Sequence, residues 1–199
     1  MSFVKLKNKF FVDESDSGKN MFTLDETDLV IYGPANPTTN KFPLVYSDII
    51  LDSTVRDQIL SIIPKEYRSH FGLKFMNINY NIGPHIDTGV KTGINFYLKA
   101  DKCITQFYKF KIELDHEAKK TLPTGVDLNP SKLNRTVAFV AEDNDVYCLD
   151  ITQPHSVYKM VEHVNRNYPF KCDRTAISCT TVLPYDLVCD LLKQTGSID

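Results

Sequence analysis

The 199 residues carry 23 Lys and Arg against 25 Asp and Glu, a formal net charge of -2, with 42% apolar and 24% charged residues. This is enough chain for one ordinary domain with some decoration, and its near-neutrality supplies no global field to draw nucleic acid or an acidic membrane. The opening MSFVKLKNKFF is too short and too charged for a signal peptide, and no apolar run reaches membrane-spanning length, so the expectation is a soluble cytoplasmic protein with no membrane partner.

Residues 1–45 hold two polar, turn-rich stretches, DESDSGKN and GPANPTTN, around a strand-capable MFTLDETDLVIYG. They read as an N-terminal extension wrapped on the domain. A helix is predicted near 53–63, capped by Asp52 or Ser53, with Val55, Ile59, Ile62 and Ile63 on one face and Pro64 just past its end.

From Gly72 the period changes to two. Predicted strands are 73–80, 93–100, 104–113, 136–141, 145–150, 155–161 and 174–182, all rich in β-branched and aromatic residues. EDND at 142–145 reads as a hairpin turn. Residues 114–134 form a long polar connection of the kind used as a lid or binding loop, as does 162–173. A last helix is predicted over 184–195. The five cysteines, at 103, 148, 172, 179 and 189, are odd in number and form no Cys-x-x-Cys pair, so they read as reduced, mostly buried thiols. The whole, 1–199, reads as one domain, mainly β with flanking helices, its 72–182 core an antiparallel barrel or sandwich.

The chemistry is concentrated in GPHIDTGVKTGINFYL. On an extended strand, residues i and i+2 share a face, so His85 and Asp87 can meet one ion. A second imidazole from a distant strand completes a 2-His-1-carboxylate facial triad with three open positions. QPHSV places His155 at the start of a late strand, and RTAIS places Arg174 at the start of the next, where a buried guanidinium can grip a carboxylate two-pronged. Taken singly, each histidine reads as an ordinary surface or core residue, Asp87 as a turn residue and Arg174 as a surface ion-pair partner. Arg166 is a rival for the anchor. His70, His116 and His163 read as surface residues, and Lys91 and Lys102 as solvated turn charges.

The order His-x-Asp, distant His, then Arg on consecutive late strands resembles the iron(II)/2-oxoglutarate-dependent oxygenase superfamily, most nearly its small prolyl-hydroxylase-like members. The likeness runs from Leu73 to Val182 and includes GINFYLK after the motif and CLDITQPHSV around the distal histidine. It implies a double-stranded β-helix, a jelly-roll or cupin-like barrel. It implies Fe(II) on His85, Asp87 and His155, and 2-oxoglutarate on Arg174. It also implies a hydroxylation that consumes O₂, since halogenating members have a small residue at the position of Asp87. Family members often carry Ser or Thr two residues after the anchor. Here that position is Ala176, and Ser178, one step further on the same face, is the substitute. Asn95, Tyr97 and Tyr80 are further candidates to bond the cosubstrate if their strand faces turn inward. The prolyl-hydroxylase-like motif region favours a peptide or protein side chain as substrate, and nothing indicates nucleic acid. Two other readings share these residues: a non-catalytic cupin-like ligand-binding barrel, and a structural or interaction protein with no metal dependence.

Overall fold

The computed structural model describes residues 1–10, 22–32, 35, 41–87, 89–112, 128–159 and 171–199. Their strands are β1 (Phe3–Lys5), β2 (Phe22–Tyr32), β3 (Leu44–Leu51), β4 (Phe71–Tyr80), β5 (Ile82–His85), β6 (Thr92–Lys99), β7 (Cys103–Phe110), β8 (Leu133–Val140), β9 (Val146–Asp150), β10 (His155–Lys159) and β11 (Lys171–Thr181). Helix α1 (Ser53–Leu60) precedes a 3-10 segment (Lys65–His70), and α2 (Tyr185–Gln194) follows β11.

The strands form two antiparallel sheets, one of seven in the order β1-β9-β6-β11-β4-β3-β2, the other of four in the order β5-β10-β7-β8. From β4 onward the chain alternates between them: β4 to the large sheet, β5 to the small, β6 to the large, β7 and β8 to the small, β9 to the large, β10 to the small, β11 to the large. That alternation is a double-stranded β-helix, the jelly-roll of cupins. Strands β1, β2 and β3 extend the large sheet at its two edges.

Period-two alternation splits the apolar residues into two cores. On the outer face of the large sheet, Ile94, Phe96, Cys148, Ile177 and Cys179 meet Ile59 of α1, Ile63 just beyond it, and Val188 and Leu192 of α2. On the inner face, Met76, Ile78, Tyr97 and Ala176 pack with Phe107 and Val157 of the small sheet. The first helix starts where expected, Asp52 accepting from Thr54 N at 2.8 Å, but it ends at Leu60. Ile62 and Ile63 are still buried, so the turn before Pro64 keeps the apolar face without keeping the helix.

One local expectation is corrected. EDND is a turn, with Asn144 at φ 69°, but it is not a hairpin: β8 and β9 lie in different sheets. Its polar groups bind across that corner. Asp143 accepts from Ala100 N at 2.8 Å, Asn144 N donates to Tyr97 O at 2.7 Å, and buried Asp145 takes Lys5 Nζ at 2.8 Å. Alternation alone does not distinguish a hairpin from a strand that changes sheets. All five cysteines are free thiols, four of them buried. The connection 114–134 lies outside the described residues up to 127. After that come a 3-10 turn, Pro130–Lys132, and the start of β8. The segment 162–173, with Arg166 and His163, is described only from 171, where β11 begins, and His116 is likewise outside. His70 is exposed at the end of the 3-10 segment. No helix among the described residues is long and apolar enough to cross a membrane.

Candidate metal centre

Two imidazoles and a carboxylate converge where the small sheet turns inward. His85 ends β5 and His155 begins β10, and the two are direct cross-strand partners with ring centroids 4.4 Å apart. Asp87 lies two residues beyond the end of β5, not on an extended strand as the motif suggests, yet it reaches the same point. Its Oδ1 is 3.7 Å from His85 Nε2 and its Oδ2 is 3.7 Å from His155 Nε2. One ligand atom from each of the three lies within 4.8 Å of the others.

The second ring nitrogens are already committed. His85 Nδ1 lies 2.8 Å from Gly83 O, and His155 Nδ1 lies 3.0 Å from Gln153 O. A carbonyl only accepts, so Nδ1 must carry the proton, and in the neutral ring Nε2 keeps its lone pair toward the centre. Burial, with His85 and Arg174 nearby, pulls His155 down to about 4 against the partial support of Asp87. This donor set, two imidazole nitrogens and one carboxylate on one side of an open cavity, suits a divalent first-row metal.

A pH dependence follows for the metal-free protein. The folded His155 resists a proton that the unfolded chain accepts near 6.5, so the unfolded state binds more protons between pH 6.5 and about 4. Stability is full above that window and drains as the pH falls through it, by about 3 kcal/mol in total. Denaturant titrations at pH 7 and pH 4.5 measure this, and His155→Gln should flatten the slope.

Beside the triad lies a cavity of about 190 Å³, walled by apolar residues such as Leu44, Met76, Ile78, Ile82 and Val157 and holding, among the described residues, the cations Arg174 and Lys74. Arg174 is 1% exposed. Its Nη1 donates to Thr105 Oγ1 at 2.9 Å and its guanidinium carbon sits 4.2 Å over the Tyr97 ring. Its Nε is buried with no partner, and no carboxylate pairs with it among the described residues. A buried cation in that condition is a receptor waiting for an anion.

The remaining sequence candidates fall in three places. Tyr97 is fully buried, and its ring braces Arg174. Asn95 and Ser178 line the cavity and bond each other at 2.8 Å, but on β11 Ser178 is four residues from Arg174, at another level of the barrel. Tyr80 is buried on the inward face of β4, beyond Ile78, and is not on the cavity wall. Ala176 is fully buried between Met76 and Tyr97 in the strand register, where a larger side chain would press on both. Thr105 carries no motif of its own in the sequence, although in ITQFY it alternates with Phe107 and so faces inward.

No protein-family model matches the chain, and no curated protein matches it in sequence. Solved structures that resemble it include E. coli ycfD, with a TM-score of 0.44 and 11% identity over 76% of this chain and 38% of that one. They also include vicilin from hazelnut (Corylus avellana), with a TM-score of 0.34 and 10% identity over 70% of this chain and 28% of that one. The chain spans well under half the length of either.

Proposed function

We propose that the protein is an iron(II)- and 2-oxoglutarate-dependent oxygenase that hydroxylates an organic substrate. One observation carries the reading: a His-Asp-His cluster and a buried guanidinium with no carboxylate partner among the described residues share one cavity, at a spacing that suits the cosubstrate. Thr105, which holds Arg174, pairs with Val157, and His155 is two residues along β10. That is about 7 Å of strand, the length of a five-carbon dicarboxylate with one end on Arg174 and its oxo-acid end at the metal.

Bound iron would activate O₂ so that one oxygen atom enters the substrate C–H bond as hydroxyl while the other enters succinate, with loss of CO₂. The chain's own residues do the arranging. His85, Asp87 and His155 occupy one side of the metal and leave the other for ligands. Arg174 and Thr105 fix the far carboxylate by charge-assisted hydrogen bonds. The Tyr97 ring holds the guanidinium flat, and the aliphatic wall keeps water from the reacting atoms.

Anaerobic addition of Fe(II) and 2-oxoglutarate tests the reading. A weak visible charge-transfer band that needs both additions is the expected result. Metal binding with no effect of 2-oxoglutarate would leave a metal-holding barrel and remove the oxygenase.

A further inference from the structure

We propose that the substrate is a free α-amino acid with an apolar side chain, whose head group is read at the rim of the barrel by Lys74 and Asp48. The proposal rests on the oxygenase reading for the place of the cosubstrate.

The inward face of the large sheet is apolar near Arg174 and polar further along. Asp48 on β3 registers with Lys74 on β4, Lys74 with Ser178 on β11, and Ser178 with Asn95 on β6. This row crosses four strands at a single level. Its side chains are joined in pairs: Lys74 Nζ donates to Asp48 Oδ1 at 2.8 Å, and Ser178 Oγ donates to Asn95 Oδ1 at 2.8 Å. From Arg174 to Ser178 is four residues along β11, about 13 Å, against about 7 Å from Thr105 to the level of His155 in the facing sheet. Cys103 and Cys172 pack together on the far side of Thr105 and Arg174, which fixes both distances as running toward the same end. The triad therefore falls between the two cations. Once Arg174 holds the cosubstrate, Lys74 is, among the described residues, the cation on the cavity wall left for the substrate.

Lys74 and Asp48 are each about two-fifths exposed at the side chain, which marks this end as the mouth. An ion pair so exposed adds little to stability. Both partners also have capacity left. An ammonium has three N–H groups, and among the described residues Asp48 is the one acceptor for Lys74. Asp48 uses one carboxylate oxygen for Lys74. A neighbouring cation and anion, each part-satisfied, complement a carboxylate and an ammonium on adjacent atoms, which is an α-amino acid head group. A peptide bond carries neither charge. The cavity, about 190 Å³ in all and shared with the cosubstrate, is lined by Met76 and Ile82 as well as by the triad, a wall that suits a short apolar side chain.

The test is calorimetric titration of the full chain, loaded with Mn(II) and N-oxalylglycine to prevent turnover. The probes are L-leucine, L-methionine and L-proline, their N-acetyl and amide forms, 4-methylpentanoate, and a capped tripeptide centred on leucine. Free amino acids should bind at least about tenfold more tightly than either blocked form, the scale of one lost charge-assisted hydrogen bond. Lys74→Gln should weaken L-leucine and 4-methylpentanoate alike. Asp48→Asn should weaken L-leucine and spare 4-methylpentanoate, a pattern that mere loosening of the rim does not give. Lys193→Gln, on the surface of α2, is the control. A capped tripeptide that binds as well as L-leucine overturns the proposal in favour of polypeptide substrates, and so does failure of every amino acid to bind. The same titration reports Mn(II)-dependent binding of N-oxalylglycine separately, so loss of that signal identifies failure of the oxygenase reading itself.

Discussion

His85→Ala is expected to lower metal-dependent succinate formation by about a hundredfold or more, since a lost ligand costs at least what a lost outer-shell partner does. The fold should survive. The ring's hydrogen bond is to Gly83, two residues away in its own strand, and the substitution removes a polar group from the inner wall without opening the apolar core. Metal stoichiometry should fall with turnover while the far-ultraviolet circular dichroism of the metal-free protein is unchanged. Asp87→Ala and His155→Ala should behave alike, and a second ligand removal should add little to the first because the three act as a unit. Undiminished succinate formation in His85→Ala would take this residue out of the centre.

Arg174→Met should separate stability from function. Methionine is flexible and apolar, reaches about as far as the arginine Nε and fills the stem of the site, while a buried charge with no carboxylate partner among the described residues disappears. The ligand-free variant is expected to be more stable than the parent by about 1–3 kcal/mol in denaturant titration. Its affinity for 2-oxoglutarate should drop about a hundredfold, about 2.7 kcal/mol, with loss of the two-pronged grip on the carboxylate. Arg174→Lys should fall between, having the charge without the fork. Unchanged affinity in Arg174→Met would move the anchor elsewhere, with Arg166 the first alternative.

The sequence is most legible where one local rule governs. Strands β4, β6, β7, β9 and β11 are readable because apolar alternation with period two leaves few alternatives, and α2 because Pro184 and an amphipathic run mark its start. The His85-Asp87-His155 cluster is legible because His-x-Asp restricts two candidate ligands to one short segment and QPHSV offers a third. Features set by contacts far along the chain are less so. Strand β5 is four residues, IGPH, too short to show a period. The change of sheet at 142–145 depends on backbone partners at Tyr97 and Ala100, some 40 residues away. Thr105 becomes significant only once Arg174 lies against it, and Lys74, four residues into β4, looks like a solvent-facing charge until β3 and β11 flank it.

The two apolar layers on either side of the large sheet have an evolutionary corollary. Helices α1 and α2 are fastened to one surface, and the proposed recognition groups lie on the side of the other, on the large sheet itself (Arg174, Lys74) or on the facing small sheet and the end of β5 (Thr105, His85, His155, Asp87). Drift in the helical layer should therefore alter melting temperature and leave ligand preference alone, whereas drift at inward positions such as Met76, Ile82 or Val157 should retune what is admitted at small thermodynamic penalty. A scaffold partitioned in this manner can diversify its chemistry without renegotiating its foundations.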